Sequence, residues 1–341
     1  MRTLEAFLKA SEDGSSARRH VTEAIGQFAL AAIKVRDAIN EGALGDAFAS
    51  TLGPSHEAGD EQKELDVFAD EAFLAAAKEA GIAYYASEEL EHPIEVDPAA
   101  EIAIAIDPLD GSSNIDTNAS IGTIFSILPS VGGERETFCQ AGSRQLAAGF
   151  FIYGPQLALA LTLGNGTHIF VYSRRRGVFI EAYADLKVPS ETREFAINIS
   201  NFRHWGAHLQ AYVEDCLAGA TGPRAKDFNM RWLASLVADA YRILIRGGVF
   251  LYPSDSRKGY ADGRLRLVYE ASPIAFLIEQ AGGAAINGEV RVLDLTPESL
   301  HQRTAFIFGS AGEVTRVEGY FARPATHSDA PSILAPSLKG A

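Results

Sequence analysis

Ile102-Ala103-Ile104-Ala105-Ile106-Asp107-Pro108-Leu109-Asp110-Gly111-Ser112-Ser113-Asn114 is an apolar run that ends in two carboxylates three positions apart, followed by a turn of small residues. Alternating isoleucine and alanine predicts a buried strand that ends at Asp107. Two carboxylates at a strand end suit a hard cation, and the backbone N–H groups of the following turn suit a phosphate. A bare D-x-x-D-G also fits an ordinary Asp-rich turn. The full DPLDGSSN string is more specific than that.

Working outward, Val21–Asn40 carries apolar residues at helical spacing, and Leu65–Ala80 does so again before Gly81. Between them, Thr51–Gln62 is polar with Gly and Pro and is expected to be a loop. Ile82–Ala86 predicts a strand running into Ser87-Glu88-Glu89, and Ile121–Leu128, Ala147–Tyr153 and Ala158–Leu163 predict three more. Gly164-Asn165-Gly166 is a hairpin signal leading into a strand over His168–Tyr172, and Val178–Ala182 adds another. The polar break Pro189–Arg193 is the expected domain boundary. Beyond it, strands are expected at Phe195–Ile199, Val249–Tyr252, Leu265–Tyr269 and Thr304–Phe308. Helices are expected at Trp205–Leu217, Arg231–Ile245, Pro273–Ala281 and Val314–Ala322. Three units follow: 1–188, 189–323, and a Pro-, Ser- and Ala-rich tail, Pro324–Ala341, expected to be disordered. The pattern is α/β (α+β layered), with helices stacked against two sheets.

The chain has 341 residues, 47% of them hydrophobic, with a formal net charge of −14. That charge argues against general nucleic-acid binding, which is built on Lys and Arg. It still allows an anionic small substrate if metal ions stand between the two negative charges. Cys139 and Cys216 form no CxxC and no disulfide framework, which fits a reducing compartment. No run approaches the length of a membrane span, and Met1–Ala10 has helix character rather than a signal pattern. A soluble, cytoplasmic protein with no membrane partner is expected.

Asp60, Glu88, Asp107, Asp110 and Glu270 all stand at a predicted strand end or in a loop entering a helix. Taken singly, each also fits a solvated surface charge. Taken together, they could hold two Mg²⁺ ions, one to activate water and one to shield a leaving oxygen. Other templates fail, since the chain has no GxxxxGK[ST], HExxH or GxSxG, and its histidines lack metal spacing.

Further blocks occur in order: Gly59-Asp60 with Leu65-Asp66-Val67, Ser87-Glu88-Glu89, the DPLDGSSN string, Gly122-Thr123-Ile124-Phe125, and Gly247-Gly248-Val249-Phe250-Leu251-Tyr252-Pro253. Leu265-Arg266-Leu267-Val268-Tyr269-Glu270, Ala281-Gly282-Gly283 and His301-Gln302-Arg303 complete the set. From about Gly59 to Ser310 the chain resembles class I fructose-1,6-bisphosphatases, within the lithium-sensitive, metal-dependent sugar phosphatases. The resemblance implies a two-domain fold of alternating αβαβα layers and hydrolysis of the 1-phosphate of fructose 1,6-bisphosphate. It implies Mg²⁺, two or more per subunit with Mn²⁺ as the alternative, held by Glu88, Asp107, Asp110, Glu270 and the Leu109 carbonyl, with Asp60 at a further position. Asp66 and Glu89 match the pair that orients and deprotonates the attacking water. Asp110, Gly111, Ser112 and Ser113 would hold the reacting phosphate. Asn201, Arg231, Tyr252 and Arg264 would hold the sugar and the 6-phosphate. The Arg231 equivalent reaches in from a neighbouring subunit, which implies an oligomer, at least a dimer and expected to be a homotetramer.

Several positions depart from the family pattern. His204 and Trp232 stand where tyrosines are usual, and Arg264 where lysine is usual, so the distal phosphate site is expected to be reshaped. Sedoheptulose 1,7-bisphosphate is therefore an alternative substrate. An inositol phosphate, or a silent sugar-phosphate sensor, fits the retained residues less well. Glu101, Ile102 and Pro129 stand where AMP-inhibited relatives carry Lys, Tyr and Arg, so little AMP inhibition is expected. Cys139 stands alone in its region, which argues against a dithiol switch there.

Overall fold

The structure, a computed structural model, describes residues 1–41 and 60–322, with side chains resuming at Glu64. The predicted tail and most of the predicted 51–62 loop lie outside the described residues. Among the described residues three helices come first: α1 (Leu4–Ala10), α2 (Ser16–Glu41) and α3 (Asp60–Glu79). Because α3 already begins at Asp60, the predicted loop ends sooner than expected.

An eight-stranded sheet follows. Its strands are β1 (Tyr84–Ser87), β2 (Ile94–Glu95), β3 (Ile102–Asp110), β4 (Ile121–Pro129), β5 (Ala147–Tyr153), β6 (Leu157–Thr162), β7 (Thr167–Ser173) and β8 (Val178–Leu186). The order is β2-β1-β3-β4-β5-β6-β7-β8, and only the β1–β3 pair is parallel. The short α4 (Glu134–Phe138) sits between β4 and β5. The Gly164-Asn165-Gly166 hairpin forms as predicted, both glycines taking left-handed φ near +80°. All nine residues of β3 are buried because helices cover both faces of the sheet, which is why the strand is an unbroken apolar run.

The predicted end of this strand at Asp107 is wrong. Pairing with β4 runs from Ile102↔Pro129 to Asp107↔Ile124, then resumes at Asp110↔Gly122. β3 thus gains one residue over its partner, a bulge containing Pro108 and Leu109. Proline has no N–H to pair, so a bulge is the place in a central strand that tolerates it.

Beyond the polar break come β9 (Glu194–Ala196), α5 (Ala207–Leu217), β10 (Asn229–Met230), α6 (Leu236–Arg246), β11 (Val249–Tyr252), β12 (Leu265–Arg266), α7 (Ser272–Gln280), β13 (Ala284–Ile286), β14 (Arg303–Thr304), β15 (Phe306–Gly309) and α8 (Ala311–Phe321). Five of these strands form a second sheet, ordered β10-β9-β11-β15-β13, while β12 and β14 pair separately. Three cores stack. α1, α2 and α3 cover the outer face of the first sheet. Ile124 and Phe150 of that sheet meet Phe250 and Phe308 of the second across α6 and α7. α5 and α8 close the far side. The layering is α-β-α-β-α, as expected.

Three further predicted elements are corrected. The strand expected over Thr304–Phe308 divides at Ala305 into β14 and β15, which belong to different sheets. The helix expected from Arg231 starts at Leu236, because Ala234 takes a left-handed φ of 58° and Ser235 caps the helix through the Ala238 N–H. The strand expected through Tyr269 stops at Arg266, and residues Leu267–Ala271 wind into a single π-helical turn ahead of α7. Wide turns of this kind place a side chain where regular helix or strand would not.

Candidate active site

The β3 bulge and the π turn face each other across the gap between the sheets. The bulge directs Asp107 and Asp110 inward, and the turn brings Glu270 to them. One oxygen from each carboxylate lies within 4.8 Å of the others. All three side chains are buried. Thr123 of β4 fixes the bulge: its hydroxyl donates to the Pro108 carbonyl at 2.8 Å and shares a second hydrogen bond with the Tyr153 hydroxyl. Asp107 accepts the Leu109 N–H at 3.1 Å, Asp110 the Val237 N–H of α6 at 3.2 Å, and Glu270 the Arg266 N–H. Asp110 thereby sits at the positive end of α6.

Three converging buried carboxylates resist ionisation. Burial pushes Asp107 well above its ordinary range, aided by Glu88, Asp110 and Glu270. Burial lifts Asp110 to about 7 against the Val237 N–H, which lowers it. Glu270 is raised well above normal by burial, then by Glu88 and Asp110. Three oxygen ligands with no cationic side chain among them at that spacing are the donor set a hard divalent ion takes.

Glu88 follows β1, its own N–H bonded to Ile106 of β3, and hydrogen-bonds to Asp107. It stands outside the tight set of three and pairs with Arg266, whose Nε is 3.3 Å from it. Asp66, on the inner side of α3, is pushed to about 7 by burial, then by Glu89, against a hydrogen bond from Ser112. Its Oδ1 is buried and has no hydrogen-bond partner among the described residues. Glu89 lies at the rim, raised by partial burial and by Glu88, its N–H bonded to Ser87 Oγ. Asp60 opens α3, and its side chain lies outside the described residues.

Gly111 has a φ of 76° and opens a 3₁₀ turn over Ser112–Asn114. Asn114 donates to the Ala234 carbonyl at 2.9 Å, and a Cβ on Gly111 would lie 3.8 Å from Ser235 Oγ. The turn therefore abuts the N-terminus of α6, and two sets of outward-facing amides share one corner beside the carboxylates.

The structure brings some of the expected sugar-site residues together. Asn201, in the 3₁₀ turn Ile199–His204, lines one pocket with Trp232, Tyr252, Asp255 and Arg257. Trp232 stacks on Phe250 at 5.6 Å. Arg264 lies over the Tyr260 ring and within electrostatic reach of the Tyr252 hydroxyl. Arg231 is not part of that pocket; it is exposed, 3.7 Å from Glu194, which also binds Arg242 and Arg246.

Sequence reasoning missed three contributors. Arg266 holds Glu88 by its side chain and Glu270 by its N–H; its place four residues before Glu270 was the available signal. Thr123 stood in a quoted block without a role. The α6 amide on Asp110 was hidden by starting that helix too early.

Two sheets between three helical layers, with a buried carboxylate cluster beside an amide-rich turn, define the metal-dependent sugar-phosphatase class. Within it the chain belongs to the fructose-1,6-bisphosphatase family. Residues 2–184 match the family model described as "Fructose-1-6-bisphosphatase, N-terminal domain", and residues 188–322 match the corresponding C-terminal domain. The chain is 58% identical over 327 residues to "Fructose-1,6-bisphosphatase class 1" of Rhizobium meliloti (strain 1021), covering 94% of each. It is 50% identical over 324 residues to the protein of that name from Azorhizobium caulinodans, covering 94% of this chain and 99% of the relative. Among solved structures it resembles Leishmania major fructose-1,6-bisphosphatase in holo form, with a TM-score of 0.82, 29% identity, and coverage of 94% and 99%. Among the described residues, no helix is long and apolar enough to cross a membrane.

Proposed function

We propose that this chain is a metal-dependent phosphatase that converts fructose 1,6-bisphosphate and water into fructose 6-phosphate and inorganic phosphate. The observation that carries this reading is the buried meeting of Asp107, Asp110 and Glu270 next to the Gly111–Asn114 turn. Asp107, Asp110 and Glu270, with Glu88, the Leu109 carbonyl and Asp60, are assigned to Mg²⁺, two or more ions per subunit, or to Mn²⁺. Bound there, the cations would offset the phosphoryl charge and acidify a water.

The chain's own groups do the rest. The N–H groups of Gly111, Ser112 and Ser113 hold the oxygens of the 1-phosphate, with Asp110 alongside. Asp66, poised near 7, takes a proton from the attacking water as its oxygen bonds to phosphorus in line with the departing sugar oxygen. Glu89 orients that water. The P–O1 bond breaks, the departing sugar oxygen takes a proton from solvent water, and Asp66 returns its proton to solvent. Asn201, Tyr252 and Arg264 bind the sugar and its 6-phosphate. The exposed Arg231 supports the reading that it serves a neighbouring subunit of a homotetramer, or at least a dimer. The carboxylates of β3 belong to an N-terminal domain, 1–188, and Glu270 and the sugar site to a C-terminal one, 189–323. Two free cysteines support a cytoplasmic setting.

Phosphate release from fructose 1,6-bisphosphate, sedoheptulose 1,7-bisphosphate and an inositol phosphate, with and without Mg²⁺, tests this assignment. The highest kcat/KM is expected for the fructose ester; release confined to the inositol ester would overturn it. AMP should inhibit little. Glu101 is exposed, 3.8 Å from His20, and Ile102 is buried, so neither offers a cation to a nucleotide phosphate. Half-maximal inhibition at low micromolar AMP would contradict this.

A further inference from the structure

The segment between β11 and β12 is the least strand- or helix-like part of the cleft, yet it is tightly determined. Asp255 and Gly263 both donate backbone N–H groups to the Tyr260 carbonyl, at 3.1 and 3.0 Å, and Tyr260 donates to that of Arg257 at 3.1 Å. Ser256 N–H bonds the His204 carbonyl at 3.0 Å, tying the segment to the turn that carries Asn201. Gly263 has a φ of 85°, and a Cβ there would come within 2.3 Å of the Thr304 and Ala305 backbone. Only glycine lets the chain pass so close to β14.

This framework holds two guanidinium groups around one ring. Arg257 lies 4.0 Å and Arg264 4.5 Å from the centre of Tyr260. Asp255, its side chain only 3% exposed, takes Nε and Nη2 of Arg257 and leaves Nη1. Arg257 in turn holds the Asp255 carboxyl below its ordinary range. Such pairing fixes the plane of a side chain that is otherwise costly to order. Arg257 opens onto the pocket that contains Asn201, Trp232 and Tyr252. Both arginines act on the Tyr252 hydroxyl, opposing the rise that burial causes. Two like charges against one ring, with Arg257 lining that pocket, are stabilised by an anion that reaches both, and a phosphate accepts from guanidinium forks.

We propose that Arg257, oriented by Asp255 and Tyr260, binds the phosphate that is not cleaved, beside Arg264, and sets the preference for bisphosphate over monophosphate esters. The proposal rests on the reading of this cleft as a sugar-bisphosphate site. It also accounts for the loss of phenolic donors at His204 and Trp232, since Arg257 supplies donors to the same pocket.

The test compares fructose 1,6-bisphosphate with fructose 1-phosphate on the full chain, with Arg257→Ala and Arg257→Lys. Arg257→Ala should raise KM for the bisphosphate about tenfold or more, while kcat for it and both constants for the monophosphate stay within about twofold. Arg257→Lys should recover part of the loss. An unchanged KM for the bisphosphate, or an equal loss on both esters, would overturn the proposal. Should the alanine variant not fold, Arg257→Lys decides alone, by a selective rise in bisphosphate KM or none. A wild-type chain with no preference for the bisphosphate would instead sink the function proposed above, and the two failures are thus distinct.

Discussion

The cleft has two ends built on opposite principles. At the β3 bulge, Asp107, Asp110 and Glu270 are buried carboxylates fixed by regular strands and one π turn. At the Pro253–Arg264 segment, Arg257 and Arg264 are partly exposed positive charges fixed by a loop around one tyrosine. Burial makes the first end costly when empty and strong toward a cation. Exposure makes the second end cheap, with each contact worth less because water screens it. Chemistry belongs at the first end, and discrimination between esters at the second.

The largest expected effect comes from the buried end. Asp110→Asn should lower kcat by at least about a thousandfold, because a ligand charge is lost where the reaction develops charge. The same change should leave the melting temperature of the metal-free protein unchanged or raised. It removes an ionisable group from a crowded buried cluster, and the amide oxygen still accepts the Val237 N–H. A clear fall in metal-free stability would show that the cluster is structural rather than catalytic. No such split is expected at the other end, where Arg257→Ala should act on KM.

Next comes pH. Asp107, Asp110 and Glu270 are all raised, so near neutrality the metal-free cluster keeps protons that a cation must displace. Apparent Mg²⁺ affinity should therefore weaken as pH falls from 8 to 6, by about tenfold per unit for each proton displaced. Calorimetry in buffers of different ionisation enthalpy counts those protons directly. An affinity that is flat across this range would contradict the burial described.

Gly122→Ala probes the junction that holds the buried end together. Its Cβ would lie 2.3 Å from the Phe151 carbonyl and 2.7 Å from a Val237 methyl, so β4 must part from β5 or from α6. A loss of about 1–3 kcal/mol is expected in denaturant unfolding, with Asp110 displaced from its α6 amide. The smallest effect belongs to the exposed end. Tyr260→Leu should raise bisphosphate KM about two- to fivefold through the lost cation–π contacts, and Tyr260→Phe should leave it unchanged. If Phe and Leu behave alike, the ring does not position the arginines.

The same contrast explains what could be foreseen. Asp107 and Asp110 were legible because a buried strand must be apolar, so carboxylates at its end stand out. The layering followed from helical and strand periodicity on either side of Pro189–Arg193. The bulge was not read, although Pro108 within the run is the residue that marks one; its place depends on pairing with β4 and on the Thr123 hydroxyl, which residues 102–110 do not carry. Glu270 was placed on a strand end because Leu265–Tyr269, apolar but for Arg266, has no feature that separates strand from π turn. The start of α6 was lost because Leu233 and Trp232 continue the apolar spacing through a left-handed Ala234. Arg257 and Tyr260 carried no signal at all. A charged residue in a loop usually means a solvated surface, and only the closure of the loop on His204 and Thr304 shows otherwise.

Phosphate release from fructose 1,6-bisphosphate, followed through removal and return of metal, tests the buried end most directly. Release should fall to background when a chelator strips the protein, and return when Mg²⁺ or Mn²⁺ is restored, with fructose 6-phosphate as the sugar product. Release that persists undiminished without metal, or none with metal present, would mean that Asp107, Asp110 and Glu270 are not the catalytic centre.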